Sequence, residues 1–480
     1  MKSAGRILVP VSIVLLFALH LPFLHADPDY FLSTSRDAFT DEGLNTSQLR
    51  NFINHDYLSF DECDNLIKSP LFNLVLFLPL KLYGAHLVAA RLTILIILLA
   101  ALSLLALNPY FRTVLPVLAP VTLMQYYVFQ YSHFSLSEML AITCILCAVV
   151  SLLVFFIGRK GVHLFLSCLF FSAAWFAKIQ FIYIMALPPA AMLAAHHLRI
   201  FYITRRIVTV SIIWIISYAF LYVAAWYLPH RDVFDYVLKD QSAGKFASPA
   251  QMPRTIGFNL VYVLFSQQQW WFHVLSAMCA VLGLRLFKSA GESFRIFFLI
   301  TLIWLLIESH KLTMVYLPAR YQAGFYFAEG LLSSVVLAEV IRMNTQTRLL
   351  FRQAGWLLLL AFAAGNGINY AALVERRAYR IEEINRYFSE TIKDRSRPVL
   401  GVWSTTATWE SRARTIPVWN NFMNDQDVLN QFQPLAILSE PDEGESNQAF
   451  SSKGIRLAEW ADSTRTFQIG KWVVNVHWLR

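Results

Sequence analysis

The sequence predicts an all-α polytopic membrane protein of about eleven transmembrane helices, with interfacial helices on its outer face and a small C-terminal extracytoplasmic α/β domain. Three observations predict it. Of 480 residues, 57% are hydrophobic and only 15% charged, at a mean hydropathy of +0.49, whereas a soluble domain carries about 25% charged residues. Apolar runs of bilayer length recur up to Ala372. From Val374 onward the composition turns polar, with Glu375, Arg376, Arg377 and Arg380 in quick succession.

A bilayer crossing needs about 20 apolar residues in a helix. Plausible spans, some of them short, extend from about Ile7 to Leu24, Val88 to Leu107, Thr113 to Phe129, Met139 to Ile157, Val162 to Trp175 and Ile179 to Ala195. They continue from Ile207 to Leu228, Trp270 to Phe287, Ile296 to Ile307, Phe325 to Ile341 and Gly355 to Ala372. The first follows Lys2 and Arg6 as a signal peptide would, but with so many runs behind it a retained helix is the better reading.

Charge sets the orientation. With the N-terminus inside, the cytoplasmic segments hold Lys2 and Arg6, then Arg112, then Arg159 and Lys160, then Arg199, Arg205 and Arg206. Arg285, Lys288 and Arg295 follow, then Arg342, Arg348 and Arg352, and Glu292 is the one acid among them. The first outer segment, residues 26–69, holds nine acids (Asp27, Asp29, Asp37, Asp41, Glu42, Asp56, Asp61, Glu62 and Asp64) against Arg36, Arg50 and Lys68. This alternation obeys the positive-inside rule and sends the tail outside. The net charge of +9 therefore reports topology; no basic stripe tracks a phosphate backbone, which excludes nucleic acid as a partner.

Two further short apolar stretches do not fit as spans, and a crossing at the first would reverse the charge pattern after it. Leu71–Tyr83 is interrupted by Pro79 and Lys81, and Ile256–Phe265 is followed by Gln267, Gln268, Gln269, Trp270 and Trp271. Both read as interfacial helices against the outer leaflet. In the tail, Pro398–Trp403, Thr415–Trp419, Leu435–Leu438 and Trp472–Trp478 read as strands, with a polar loop at Ser439–Asn447. The organisation is thus 1–373 in the membrane, including the acidic loop and interfacial helix of 26–87, and 374–480 outside it. Cys144 and Cys147 form a C-x-x-C inside an apolar helix, where helix packing is the better reading than redox chemistry. Cys63 has no evident partner.

The residues that carry chemistry cluster on one side. Asp41 and Glu42 are adjacent carboxylates just beyond a membrane helix, with Thr40 placed to cap a helix that follows Asp41. Such a pair serves as base and orienter, or as base and metal ligand, or is a solvated loop that fixes topology. Glu138 opens the next outer connection, as a second acid or as a first-turn residue of the fourth helix. Lys178 lies between apolar stretches, where a charge costs about 2.5–3.5 kcal/mol and calls for a carboxylate or a lipid phosphate as partner. His310, Lys311, Arg320 and Tyr321 gather in a late outer loop, some of them as interface anchors. The Arg320 fork suits an anion.

Taken together these segments resemble the GT-C glycosyltransferases, in the branch that holds protein O-mannosyltransferases and the lipid A aminoarabinose transferase. Asp41-Glu42-Gly43 with Arg50-Asn51 resembles that family's Asp-Glu loop. Lys68-Ser69-Pro70 resembles its Lys-Pro-Pro element, with Ser69 in place of the first proline. Ala90-Arg91-Leu92, Glu138, Ala177-Lys178 and Tyr316-Leu317-Pro318 with Arg320-Tyr321 follow in the family's order. The resemblance implies inverting transfer of a sugar from a polyprenyl-phosphate donor to a glycan, lipid or protein acceptor. Asp41 would be the general base, and Glu42 and Glu138 would orient Asp41, the acceptor or a divalent ion. Lys68, Lys178, Arg320 and Tyr321 would hold the donor phosphate. A divalent cation, Mg or Mn, would sit on Asp41 and Glu138 if one is used. The implied setting is the bacterial inner membrane, with the N-terminus cytoplasmic, the tail periplasmic and membrane lipids as neighbours. The rival reading is a transporter or flippase of lipid-linked precursors, which would concentrate charge near mid-bilayer and show repeat symmetry.

Overall fold

The computed structural model describes residues 2–60, 62–236, 245–265, 269–343, 349–418, 420, 428–441 and 444–479. Expectations resting on Asp61, Gln267, Gln268, Arg348 and Trp419 fall outside them.

Helices form over every apolar run. α1 (Lys2–His20) leads into a long connection built from α2 (Asp37–His55), α3 (Asn65–Lys68) and α4 (Pro70–Tyr83). Then come α5 (Leu87–Leu105), α6 (Pro109–Leu118), α7 (Tyr126–His133), α8 (Ser137–Gly158) and α9 (Gly161–Ala177). α10 (Leu187–His197), α11 (Arg205–Tyr222), α12 (Arg231–Tyr236) and α13 (Met252–Phe265) continue the chain. α14 (Trp270–Leu286), α15 (Glu292–Glu308), α16 (Ala319–Arg342), α17 (Leu349–Glu375) and α18 (Arg380–Thr391) complete the helical part. Among the described residues seven helices are long and apolar enough to cross a membrane, and the stretches 7–23, 70–83, 161–177 and 270–286 are shorter apolar helices.

Burial sorts these helices. α8 and α16 are enclosed along nearly their whole length, α8 by α5, α9, α15 and α16, and α16 by α6, α7, α14, α15 and α17. Beyond Arg205 and Arg206, α11 is mostly apolar, yet none of its residues is buried. Ile207 and Trp214 pack on the bundle, and the apolar surface that the protein leaves uncovered has lipid as its solvent.

Two expected spans are interrupted. The run Thr113–Phe129 is not one helix: α6 passes through a π-helical turn at Ala119–Leu123, and the chain restarts as α7. Pro116 and Pro120 remove helix donors. The exposed carbonyls of Pro120 and Val121 are taken by the Asn366 amide at 2.8 and 3.2 Å, while the Gln125 side chain caps Tyr127 and Val128. The run Ile179–Ala195 begins as a 3-10 helix, Ile179–Ala186, before Pro188 and Pro189 start α10. The two short apolar stretches lie within α4 and α13. The five cysteines are free and none forms a disulfide.

The tail forms a five-stranded sheet in the order β2-β1-β3-β5-β4. β1 (Val399–Leu400) lies between β2 (Thr415–Ile416) and β3 (Ala436–Ser439), all parallel. β4 (Ala461–Ile469) and β5 (Trp472–Leu479) make an antiparallel hairpin, with β5 against β3. β4 was not among the expected strands because its outer positions are polar and exposed, as at Ser463, Thr464, Arg465 and Thr466. Part of the expected polar loop at Ser439–Asn447 belongs instead to a helix, Gly444–Ser451.

The sheet does not stand apart from the bundle. Its buried Val399, Trp403 and Val474 belong to the same apolar cluster as Phe39 on α2 and the helices beneath.

Candidate active site

The site is built around α2, which neighbours hold on several faces. Residues 37, 41, 44 and 45 follow helical spacing and form one stripe. One position along from Asp41 the side chain points about 100° away, and Glu42 accordingly leaves that stripe. Its carboxylate receives Arg91 Nη2 at 2.5 Å and the Ser135 backbone N–H at 2.7 Å. Arg91 is wholly buried and also donates to the carbonyls of Phe23, Leu24 and Ala26. This corrects the expectation that Glu42 orients Asp41 or an ion. The carboxylate ties α2 to α5 and to the start of α8, and does not line either cavity beside Asp41.

A third face of α2 meets the sheet domain. Gly43 lets the backbones touch: a Cβ there would lie 2.5 Å from the Thr405 carbonyl carbon. Arg50 donates to the Thr405 carbonyl and lies over the Trp409 ring at 4.1 Å. Phe39 packs on Trp472 at a centroid distance of 5.0 Å, and Thr406 Oγ1 donates to the Phe39 carbonyl. α2 begins at Asp37, earlier than the expected start, so Thr40 lies inside the first turn and is not the cap. The Asp37 carboxylate instead accepts Ala38 N–H at 2.8 Å and Ser33 Oγ at 2.5 Å.

The stripe faces ends of other helices. Arg320 and Tyr321 are in the first turn of α16, placed there by Pro318, and so are not in a loop. The Arg320 guanidinium pairs with Asp41, reaches Asp37 Oδ2 at 3.3 Å through the same Nη1, and brings Nε to 3.4 Å from Glu138 Oε1. Lys178 sits in the extended break after α9 and pairs with the same oxygen of Glu138. Glu138, in the first turn of α8, is completely buried, and its carboxylate serves these two cations instead of capping the helix. Charge-assisted contacts of this kind are what make a buried carboxylate tolerable.

Asp41, Lys68, Lys178, Arg320 and Tyr321 line one cavity of about 310 Å³. Lys68 is paired there with Asp64. Burial, with Lys68 and Lys178 nearby, holds the Lys245 ammonium below the ordinary lysine range, partly offset by Tyr321 and Asp64. Lys245, Asp64, Asp37 and Gln180 were missed as site residues. The two aspartates were counted only as loop charge, and Lys245 carries no signal beyond its place beside an interfacial stretch. His310 and Lys311 do not line this cavity: His310 lies against Tyr183, and Lys311 pairs with the buried Glu308 while donating to the Tyr321 carbonyl at 2.9 Å. A second cavity, of about 590 Å³, lies across Asp41 and is lined by Ser35, Arg36, Asp37, Thr40, Tyr316, Arg320 and, from the sheet domain, Val402 and Trp472.

No family model and no curated protein matches the sequence. Among solved structures, apo ArnT from Cupriavidus metallidurans matches with a TM-score of 0.64 over 97% of each chain at 13% identity. Its undecaprenyl-phosphate-bound form matches at 0.59, over 99% of this chain and 98% of that one, at 14% identity. The fold is GT-C. The archaeal oligosaccharyltransferase AglB from Archaeoglobus fulgidus, in complex with an inhibitory peptide and a dolichol-phosphate, shares the GT-C fold at TM-score 0.55 and 11% identity, covering 92% of this chain and 69% of that one. A crystal form of that oligosaccharyltransferase contains Zn and sulfate. Within the GT-C fold of this chain, the acidic stripe of α2, the break after α9 and the first turn of α16 come together at one place.

Proposed function

We propose that this chain is a membrane glycosyltransferase that moves a sugar from a polyprenyl-phosphate donor to an acceptor hydroxyl or amine at the outer, periplasmic or lumenal face, with inversion. The observation that carries the reading is that Asp41 lines two cavities at once, one gathering Lys68, Lys178, Lys245 and Arg320, the other opening toward the sheet domain. The basic cavity suits a phosphate; the other suits the group that attacks.

The chemistry follows from that division. The donor phosphate lies among the lysines, and the acceptor reaches the sugar from the Asp41 side. As the acceptor oxygen bonds to the anomeric carbon, an Asp41 carboxylate oxygen takes its proton and the carbon–oxygen bond to phosphate breaks. The phosphate leaves with one more negative charge. Lys68, Lys178 and Arg320, held by their own ion pairs before the reaction, stabilise that charge without reorganising, which is the largest usual contribution to such catalysis. Attack and departure on opposite sides of the carbon invert its configuration. A carboxylate base is worth about 10²–10⁴-fold in rate, and fixing the two substrates supplies the larger part of the remainder.

The test is incubation of membranes with radiolabelled polyprenyl-phosphate sugar. Label appearing in an acceptor with the wild type, and absent with a normally expressed Asp41→Asn variant, supports the reading. Equal transfer by that variant removes Asp41 as base, and no transfer by the wild type from any such donor removes the reaction class.

A further inference from the structure

A divalent cation is the usual way to gather carboxylates at a phosphate-transfer site, and the donor set here has the right chemistry. Asp37, Asp41 and Glu138 come from two separate helices and converge on one point. That point is filled by Arg320, whose Nη1 serves both aspartates while its Nε faces Glu138. A planar guanidinium spreads its partners more widely than an ion, which draws carboxylate oxygens to about 2.0–2.6 Å. Among the described residues no three His, Cys, Asp or Glu groups are placed to share one ion.

The charge count agrees with the geometry. Around the basic cavity the fixed cations Lys68, Lys178, Lys245 and Arg320 stand against the carboxylates Asp37, Asp41, Asp64 and Glu138. The acids are matched one for one before any ligand arrives. A divalent ion would add two positive charges to a balanced site and would have to displace a guanidinium held on several sides.

We infer that Arg320 is a built-in replacement for a divalent cation: it neutralises Asp37, Asp41 and Glu138, orients Asp41, and makes the site independent of metal. The catalytic meaning of this role rests on the transfer reaction proposed above; ion binding does not. Arg320 keeps donors to spare, since a guanidinium has five, and those serve the leaving phosphate as a metal would. Removing the side chain leaves two aspartates and a glutamate facing one another without their shared cation, which is the composition of a hard-metal site.

The full-length protein, purified in detergent, is titrated with Mn²⁺ and the loss of the free-ion electron paramagnetic resonance signal is followed. The wild type takes up no ion, and EDTA leaves its transfer rate unchanged. Arg320→Ala takes up one Mn²⁺ per chain, and Arg320→Ala combined with Asp37→Asn loses it. Arg320→Gln repeats the measurement in case the alanine variant fails to fold, with thermal unfolding as the check. One tightly bound Mn²⁺ in the wild type, with transfer lost on chelation, overturns the inference. So does the absence of uptake by both folded Arg320 variants. Should no variant or wild type transfer sugar while the uptake pattern holds, the reaction class falls and Arg320 keeps its place as the internal cation.

Discussion

Asn51 and Thr415 bond to each other reciprocally across 364 residues of sequence: the Asn51 amide donates to the Thr415 carbonyl at 2.8 Å, and the Thr415 N–H donates to Asn51 Oδ1 at 3.0 Å. One side chain thus satisfies both backbone groups at the start of a strand and fixes the far end of the helix that carries Asp41. Asn51→Ala strands two buried backbone groups, each worth about 1–3 kcal/mol when left unsatisfied. The expected outcome is a lower unfolding midpoint and faster proteolysis of the region around β2, read on purified protein.

Asp41 and Glu42, though adjacent, separate on replacement. Asp41→Asn retains the fold and loses transfer by about 10²–10⁴-fold. Glu42→Gln leaves the buried Arg91 without its counter-charge, at a cost of about 3–5 kcal/mol. Expression level and thermal stability beside initial rate distinguish the two: a Glu42→Gln protein as stable as the wild type refutes the structural role given to Glu42.

The Lys178–Glu138 pair is suited to a double-mutant cycle. Lys178→Met deprives a fully buried carboxylate of one of its two cations and lowers stability by about 3–5 kcal/mol. Lys178→Met with Glu138→Gln removes both charges and recovers part of that loss, with a coupling of about 0.5–3 kcal/mol. Donor KM rises in both variants, because the cation facing the phosphate is gone in each. Additive stability losses would refute the pairing.

Lys245 gives the site an alkaline limit. Its depressed pKa, caused first by burial and then by Lys68, means that the ammonium is lost at a pH below the ordinary lysine value. Donor KM therefore rises as pH climbs through that depressed value, and Lys245→Arg moves the rise to higher pH. Stability runs the other way. Between the folded and unfolded pKa values the unfolded chain binds more protons, so unfolding becomes harder as pH increases over that interval. Donor KM against pH for the two proteins is the measurement.

Much of this arrangement was legible in the sequence. Apolar run length and loop charge located the helices; Lys178 stood out because a charge beside lipid needs a partner, Asp41 and Glu138 as acids of the outer connections, and Arg320 because its fork suits an anion. The role of Glu42 was not legible until α2 was known to begin before Asp41, so that the helix turns these adjacent residues about 100° apart. The interruption at Met124–Gln125 was hidden because a proline inside an apolar run reads equally well as a kink. β4 was hidden by its polar outer face. Nothing local announces Arg50 or Asn51 as contacts of the tail, because their partners are backbone carbonyls and amides more than 350 positions away.

The seating of Gly43 on Thr405 has a consequence for the timetable of synthesis. The ribosome makes α2 early, but the surface against which it packs emerges some 360 residues later, and contacts of such separation form last. A nascent chain that has already threaded its membrane helices still carries an unsecured Asp41. On the transfer reaction proposed above, competence to react arrives only when the final strands fold against α2.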